Sequence, residues 1–140
     1  MASKNKLCYL IAENFLVYYK AHTFHLNVTG PNFEQYHSLF GEVYEELWKW
    51  HDSLSELLRQ QGDKYPLNLK DILSESTIND DAVGKSITGI FNTLGADLAS
   101  LLDCANRVYA TGDAATETLI GDYCAAVSKL KWKINATIGQ

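Results

Sequence analysis

The stretch that decides the fold is residues 22–62, HTFHLNVTGPNFEQYHSLFGEVYEELWKWHDSLSELLRQQG. It contains the end of one amphipathic segment, the turn sequence TGPN, and a second and longer amphipathic segment. Gly30 can adopt the left-handed conformation that closes a helix, and Pro31 cannot continue one. Asn32 followed by Gln35 is a capping-box pattern, which predicts a new helix start. The stretch therefore predicts two consecutive helices joined by a short turn.

Apolar side chains recur at helical spacing well beyond this stretch. The predicted segments, in chain order, are Leu7 to His25, Phe33 to Leu58, a short one at Asn68 to Leu73, one from about Asp80 to Val108, and one that Asp113 caps and that continues to Ile134. The third long segment includes Val83 in its apolar stripe and Gly84, Gly89 and Gly95 in its interior. Interior glycines cost helix stability, so these predict close approach of another backbone.

The order of segments is long, long, short, long, long, and no strand-like alternation competes with it. Four long amphipathic helices predict an all-α four-helix bundle. The long excursion between the second and third long helices favours a crossover of the ferritin-like kind, with the short helix inside it, because antiparallel neighbours need only a short loop. We expect residues 1–140 to form a single ferritin-like domain.

The composition limits the classes of function. The chain has 140 residues, and 12 Lys and Arg against 17 Asp and Glu give a net charge of −5, which argues against a surface devoted to nucleic acid. No segment approaches the ~20 apolar residues of a membrane-spanning helix, so no membrane partner is expected. The three cysteines form no C-x-x-C pair, which favours buried thiols in a reducing compartment, the cytoplasm.

The main functional signal is a cluster of potential metal ligands. All four histidines, His22, His25, His37 and His51, lie in the first 51 residues, and Asp52 and Glu56 follow at helical i, i+4 spacing. Imidazole together with carboxylate suits iron, manganese or zinc. A single histidine on an amphipathic helix more often packs or makes a hydrogen bond, and an acid pair more often faces solvent.

The spacing restricts how these side chains could share a metal ion. A single-chain di-iron bundle requires Glu-x-x-His motifs on two helices, and the sequence does not repeat that motif on two helices. Fifteen residues separate His37 from Asp52, which is ~22 Å along a helix, so they cannot bind one ion within a subunit. Two copies of this helix packed antiparallel about a two-fold axis near Tyr44 would bring them together.

The stretch from His22 to Gly62, with its pattern His-x-Asn-Val-x-Gly-Pro-x-Phe beginning at His25, resembles the Dps family, the miniferritins known as DNA-binding proteins from starved cells. The resemblance implies a shell of twelve subunits that oxidises ferrous iron with hydrogen peroxide and stores ferric iron. It also implies a ferroxidase site at two-fold interfaces, with His25 and His37 from one subunit and Asp52 and Glu56 from its neighbour as metal ligands. Under this interpretation His22 and His51 support the site or pack beside it.

The sequence departs from the family pattern at three positions near the site, one of which is Arg59, because the family often has an arginine directly after the glutamate and here it follows three residues later. Gly41 stands where the family usually has another acid, so a second metal position would be poor or would take a ligand from Glu42 or Glu45. Leu26 stands where a tryptophan thought to absorb oxidising equivalents is common. The residues that could serve instead, although packing is the more usual role for them, are Tyr44, Trp48 and Trp50.

The resemblance extends least securely to DNA. The lysines available near the two ends of the chain are Lys4, Lys6, Lys129, Lys131 and Lys133. Because the charge of −5 per subunit repels DNA, weak DNA binding at most is expected. Two alternatives to an iron-oxidising shell stay open: a shell that protects DNA by binding it and has a vestigial metal site, and a helical interaction protein whose histidines only pack.

Overall fold

The computed structural model describes residues 5–79 and 86–140. The helices, in chain order, are α1 (Lys6–Asn27), α2 (Phe33–Gln60), α3 (Leu69–Glu75), α4 (Ile87–Ala110) and α5 (Ala114–Thr137). The four long helices form a bundle in which α1 packs on α2 and α4, and α5 packs on α4 and α2; α3 lies against α1. No strand occurs among the described residues. The predicted all-α bundle with a short helix in the crossover is confirmed.

The turn between α1 and α2 follows the prediction in part. Gly30 has a φ of +106°, the left-handed conformation expected after a helix. The capping box is wrong: Asn32 precedes α2, but its side chain makes no cap hydrogen bond. With φ −105° and ψ 26°, Asn32 is not in the extended conformation that directs a side chain to the N–H groups of the first turn. Its Nδ2 instead donates to the Tyr36 hydroxyl over 3.4 Å.

The start of α4 also differs from the prediction. The helix begins at Ile87 and not near Asp80, because Ser86 is extended and its hydroxyl accepts a hydrogen bond from the Gly89 N–H at 3.1 Å. A side-chain cap of this kind fixes the first residue of a helix. The predicted positions Val83 and Gly84 lie outside the described residues, as does Lys4.

Two contacts in the interior involve polar side chains. A β-carbon on Gly95 would come within 2.5 Å of Asn135 Oδ1, so the close neighbour at this glycine is a side chain of α5 and not the backbone that was predicted. The buried Lys20 lies on the apolar face of α1, and its Nζ is 2.6 Å from Asp97 Oδ2. Among the described residues, no helix combines the length and apolar composition needed to cross a bilayer. The three cysteines are free thiols, of which Cys104 is buried.

Candidate metal centre

His25 and His37 meet where α1 and α2 adjoin the turn between them. His25 lies in the last turn of α1 and His37 in the second turn of α2, and the short connection brings these turns side by side. The two imidazole rings are stacked, with centroids 3.7 Å apart and planes 17° apart. The structure therefore brings together the two predicted nitrogen ligands.

The two histidines are fixed by reciprocal hydrogen bonds. His25 Nδ1 lies 2.6 Å from the His37 carbonyl oxygen, and His37 Nδ1 lies 2.7 Å from the His25 carbonyl oxygen. Because a carbonyl oxygen only accepts, each Nδ1 carries the proton and donates it. In the neutral ring the lone pair is then on Nε2, the nitrogen available to a metal ion. Metal-binding histidines are commonly oriented by a hydrogen bond of this kind from their second nitrogen.

Asp52 and Glu56 form the second group of predicted ligands, on an exposed part of α2. The protonated Glu56 carboxyl donates a hydrogen bond to Asp52, and this bond, together with the negative charge of the Asp52 carboxylate, raises the pKa of Glu56. Two carboxylates that share a proton favour a bound cation, because the cation offsets the repulsion that appears when both ionise. The pair therefore has the electrostatics of an incomplete cation site.

The structure does not bring the histidine pair and the acid pair together within one chain. Over residues 5–79 and 86–140, no group of three or more His, Cys, Asp and Glu side chains could hold a metal ion. The separation along α2 explains this, since His37 and Asp52 are ~22 Å apart along a straight helix. Each pair supplies two donor groups, fewer than iron or zinc sites in proteins normally use.

The other two histidines are engaged in packing beside the site. His22 stacks on Tyr44 with centroids 4.0 Å apart, and its Nδ1 is 3.1 Å from the Tyr18 hydroxyl. His51 Nε2 is 2.8 Å from the Tyr65 hydroxyl, and burial lowers the pKa of His51 although the charge of Asp52 opposes this. The sequence did not indicate Tyr65, which lies fourteen residues after His51 in an irregular segment.

Glu42 and Glu45 were the acids considered as replacements for the acid that the family usually has at position 41. Glu42 forms an ion pair with Lys133 of α5, so its carboxylate is directed towards α5. Glu45 is exposed on α2. Glu34 was not among the predicted ligands; it is exposed, three residues before His37, and the i, i+3 spacing puts the two on one helix face. The Glu-x-x-His spacing itself was the signal that could have identified Glu34.

The aromatic side chains near the site differ in exposure. Trp48 is 53% exposed and stacks on His51 with centroids 6.0 Å apart. Trp50 instead meets the buried Tyr123 edge to face at 5.3 Å. Trp50 therefore packs against the core, while Trp48 and the half-buried Tyr44 remain beside the histidines.

Comparison with known proteins places this fold in a class. The chain matches the ferritin-like domain over residues 4–140. It is 29% identical over 133 residues to a DNA protection during starvation protein of Brevibacillus brevis, covering 90% of this chain and 87% of that protein.

Two solved structures agree. A Dps protein from Bacillus brevis superposes with a TM-score of 0.88 at 26% identity, covering 99% of both chains. A Dps protein from Vibrio cholerae, described as one of the ferritin-like diiron-carboxylate proteins, has a TM-score of 0.89 at 25% identity over 96% of this chain and 87% of that one. This chain belongs to the Dps miniferritins, within the ferritin-like domain family.

Proposed function

We propose that this chain forms a homo-oligomer, as the resemblance implies a shell of twelve, and that it oxidises and stores iron at sites shared between subunits. His25 and His37 of one subunit and Asp52 and Glu56 of a neighbour would bind ferrous iron. The observation that carries the proposal is the reciprocal hydrogen bonding of the two histidines, which orients their Nε2 atoms for a metal ion. The second support is that the acid pair lies too far away to complete that site within the chain.

The proposed chemistry is a two-electron reduction of hydrogen peroxide. Each of two ferrous ions gives one electron, the O–O bond breaks, and both oxygens leave at the level of hydroxide or water. The imidazoles supply neutral nitrogen ligands, and the Asp52 and Glu56 carboxylates stabilise the added positive charge of the ferric product. Because both electrons are delivered together, no hydroxyl radical is released, which suits a protective role.

A complementation experiment tests whether the site is shared. His37→Ala and Glu56→Ala subunits are each expected to lack peroxide-dependent iron oxidation. When the two are unfolded, mixed equally and reassembled, half the two-fold interfaces pair unlike subunits. Each such interface rebuilds one of its two sites from the intact halves, so about a quarter of the wild-type activity should return.

A matched mixture provides the control. His25→Ala mixed with His37→Ala rebuilds no site, because both residues belong to the same half, and the mixture should stay inactive. Recovery in neither mixture, with wild-type protein active, would contradict sharing between subunits. Slow oxidation that is equal in wild-type protein and the single variants would contradict the ferroxidase proposal.

DNA protection by direct binding is the second candidate, and the name of the Brevibacillus brevis relative supports it. The lysines offer limited support. Lys133 is paired with Glu42, Lys131 is half-buried, and Lys129 is exposed on α5. A gel mobility shift measured across salt concentrations tests this candidate, and we expect weak binding that disappears near physiological salt.

A further inference from the structure

We infer that Gly41 is a positioning residue of the proposed metal centre. The missing side chain at position 41 makes the space that the His25 imidazole occupies, and a larger side chain would displace that imidazole from its hydrogen bond. The inference rests on the proposed function for its metal-binding consequence and on the structure alone for its geometric one.

The geometric argument begins with the contact between α2 and the His25 ring. A β-carbon on Gly41 would lie 3.1 Å from both Cε1 and Nδ1 of His25. Carbon atoms normally approach no closer than about 3.5 Å. The crowded atom Nδ1 is also the one that donates to the His37 carbonyl. A methyl group at position 41 would therefore press on the atom that fixes the orientation of the ring.

Helix geometry explains why position 41 controls this hydrogen bond. In α2 the N–H of residue 41 donates to the carbonyl of residue 37, four positions earlier. A β-carbon in a helix tilts towards the N-terminus, over the preceding turn. A side chain on residue 41 would accordingly lean over the His37 carbonyl oxygen. With glycine there, that oxygen accepts from His25 Nδ1 as well as from the helix.

The His25 ring has little room to move away. One face is stacked on His37 at 3.7 Å, and the Tyr44 ring is 5.0 Å from it. Tyr44 is in turn stacked on His22 at 4.0 Å. A displaced ring must therefore part from His37 or push on Tyr44. Either movement shifts Nε2 from the position that the reciprocal hydrogen bonds define.

This interpretation differs from the simpler idea that position 41 is a vacant ligand position. If it were vacant, an acid introduced there would add a metal ligand and strengthen binding. If the space belongs to His25, the same acid displaces an existing ligand and weakens binding. Gly41→Asp therefore distinguishes the two, because the expected changes in affinity have opposite signs.

The experiment uses the assembled full-length protein, with Zn²⁺ as a redox-inert probe that accepts imidazole and carboxylate ligands. Calorimetry measures the zinc affinity of wild-type protein, Gly41→Ala, Gly41→Asp and Glu56→Ala. Gly121→Ala is the matched control, because Gly121 is also helical and a β-carbon there would meet nothing within 4 Å. Crystal structures of the metal-free Gly41→Ala and Gly121→Ala proteins give the distance from His25 Nδ1 to the His37 carbonyl.

We expect Gly41→Ala and Gly41→Asp to lower zinc affinity by about 10- to 100-fold, the usual effect of disturbing the groups that orient metal ligands, while Gly121→Ala matches wild type. In crystals of Gly41→Ala the distance should lengthen from 2.6 Å by a few tenths of an ångström, while in Gly121→Ala it should not change. An unchanged distance, or tighter zinc binding by Gly41→Asp, would overturn the inference. A failure of the proposed function has a separate signature, since Glu56→Ala would then leave zinc binding unchanged. The crystallographic distance would still decide whether Gly41 positions the His25 ring.

Discussion

The interior of the bundle contains a pair of oppositely charged side chains, whereas the exposed flank of α2 contains a pair of acids. In the interior, Lys20 and Asp97 carry opposite charges 2.6 Å apart, and the lysine side chain is 2% exposed. On the flank, Asp52 and Glu56 are both acids, and the hydrogen bond that protonated Glu56 donates to Asp52, with the negative charge of Asp52, raises the pKa of Glu56. The interior pair balances its charge within one chain, whereas the flank pair becomes more favourable when a cation binds. The first arrangement serves the fold, and the second suits a ligand.

The largest effect on stability is expected from Lys20→Met. This change removes the ammonium partner of a nearly buried carboxylate, and breaking a buried ion pair costs about 3–5 kcal/mol of unfolding free energy. Denaturation by urea, followed by circular dichroism, measures the loss. If the pair contributed no more than a surface ion pair, the loss would be below about 1 kcal/mol and the contrast between the two regions would fail.

A double variant tests whether the loss comes from the remaining charge. Lys20→Met combined with Asp97→Leu removes both charged groups and leaves apolar side chains of similar size. Most of the stability should return, because well-packed apolar residues replace buried ion pairs at little cost. If the double variant is as unstable as Lys20→Met, lost packing and not an uncompensated charge is the cause.

The two halves of the proposed metal centre should differ in their effect on the metal-free protein. His37→Ala removes a hydrogen bond to the His25 carbonyl and the stacked ring, so we expect it to lower the unfolding free energy by about 1–2 kcal/mol. Glu56→Ala relieves a like-charge contact and should leave stability equal or higher. Urea unfolding of both variants, compared at equal oligomeric state, measures the difference. A similar loss in both would show that the acid half is also structural.

The parts of the fold that follow from local signals could be predicted from the sequence. Helical periodicity and the pair Gly30-Pro31 are properties of adjacent residues, and they led to the correct long helices and the turn between α1 and α2. The start of α4 was misplaced because the apolar stripe at Val83 and Ile87 fits a helix on either side of Ser86. Hydrophobic periodicity does not reveal where a helix is capped, because the cap depends on the conformation of one residue.

The sequence indicated the candidate ligands but not the contacts that support them. The candidates His25 and His37 came from clustering and from the family resemblance, and the structure brings them together. The role of Gly41 depends on contact between two helices, and no pattern within α2 reveals it. Lys20 was visible as a charged residue at the spacing of Val17 and Phe24, yet its partner Asp97 is 77 positions away in the sequence.

Asp52→Asn is expected to change how the stability of the fold depends on pH, because it removes one acid of the flank pair. A carboxyl whose pKa is raised on folding stabilises the fold most below its unfolded pKa, and that contribution is lost as the pH rises through the folded pKa. Removing Asp52 lets the pKa of Glu56 fall back. The variant should therefore have a slightly higher Tm than wild type at pH 7, with the gap closing below about pH 4. A gap that stays constant with pH would mean that the like charges do not interact.

The smallest effect is expected at Asp113, an exposed acid with the opposite environment. Its Oδ1 accepts a hydrogen bond from the Thr116 N–H at 2.9 Å, and this bond lowers the pKa of Asp113. Stability from such a group is present above the unfolded pKa of about 3.9 and is lost as the pH falls through the folded value. Asp113→Asn keeps a capping side chain but loses the charge, which favours a helix N-terminus. Wild type should thus have the higher Tm at pH 7, with the gap closing on acidification.

Asp103→Asn, at an exposed position within α4, controls for the loss of one negative charge. Asp113→Asn and Asp52→Asn each remove one exposed carboxylate, so opposite signs of their Tm changes at pH 7 would show that the neighbouring donor or acid, and not net charge, determines the outcome. Equal changes in all three variants would refute that explanation.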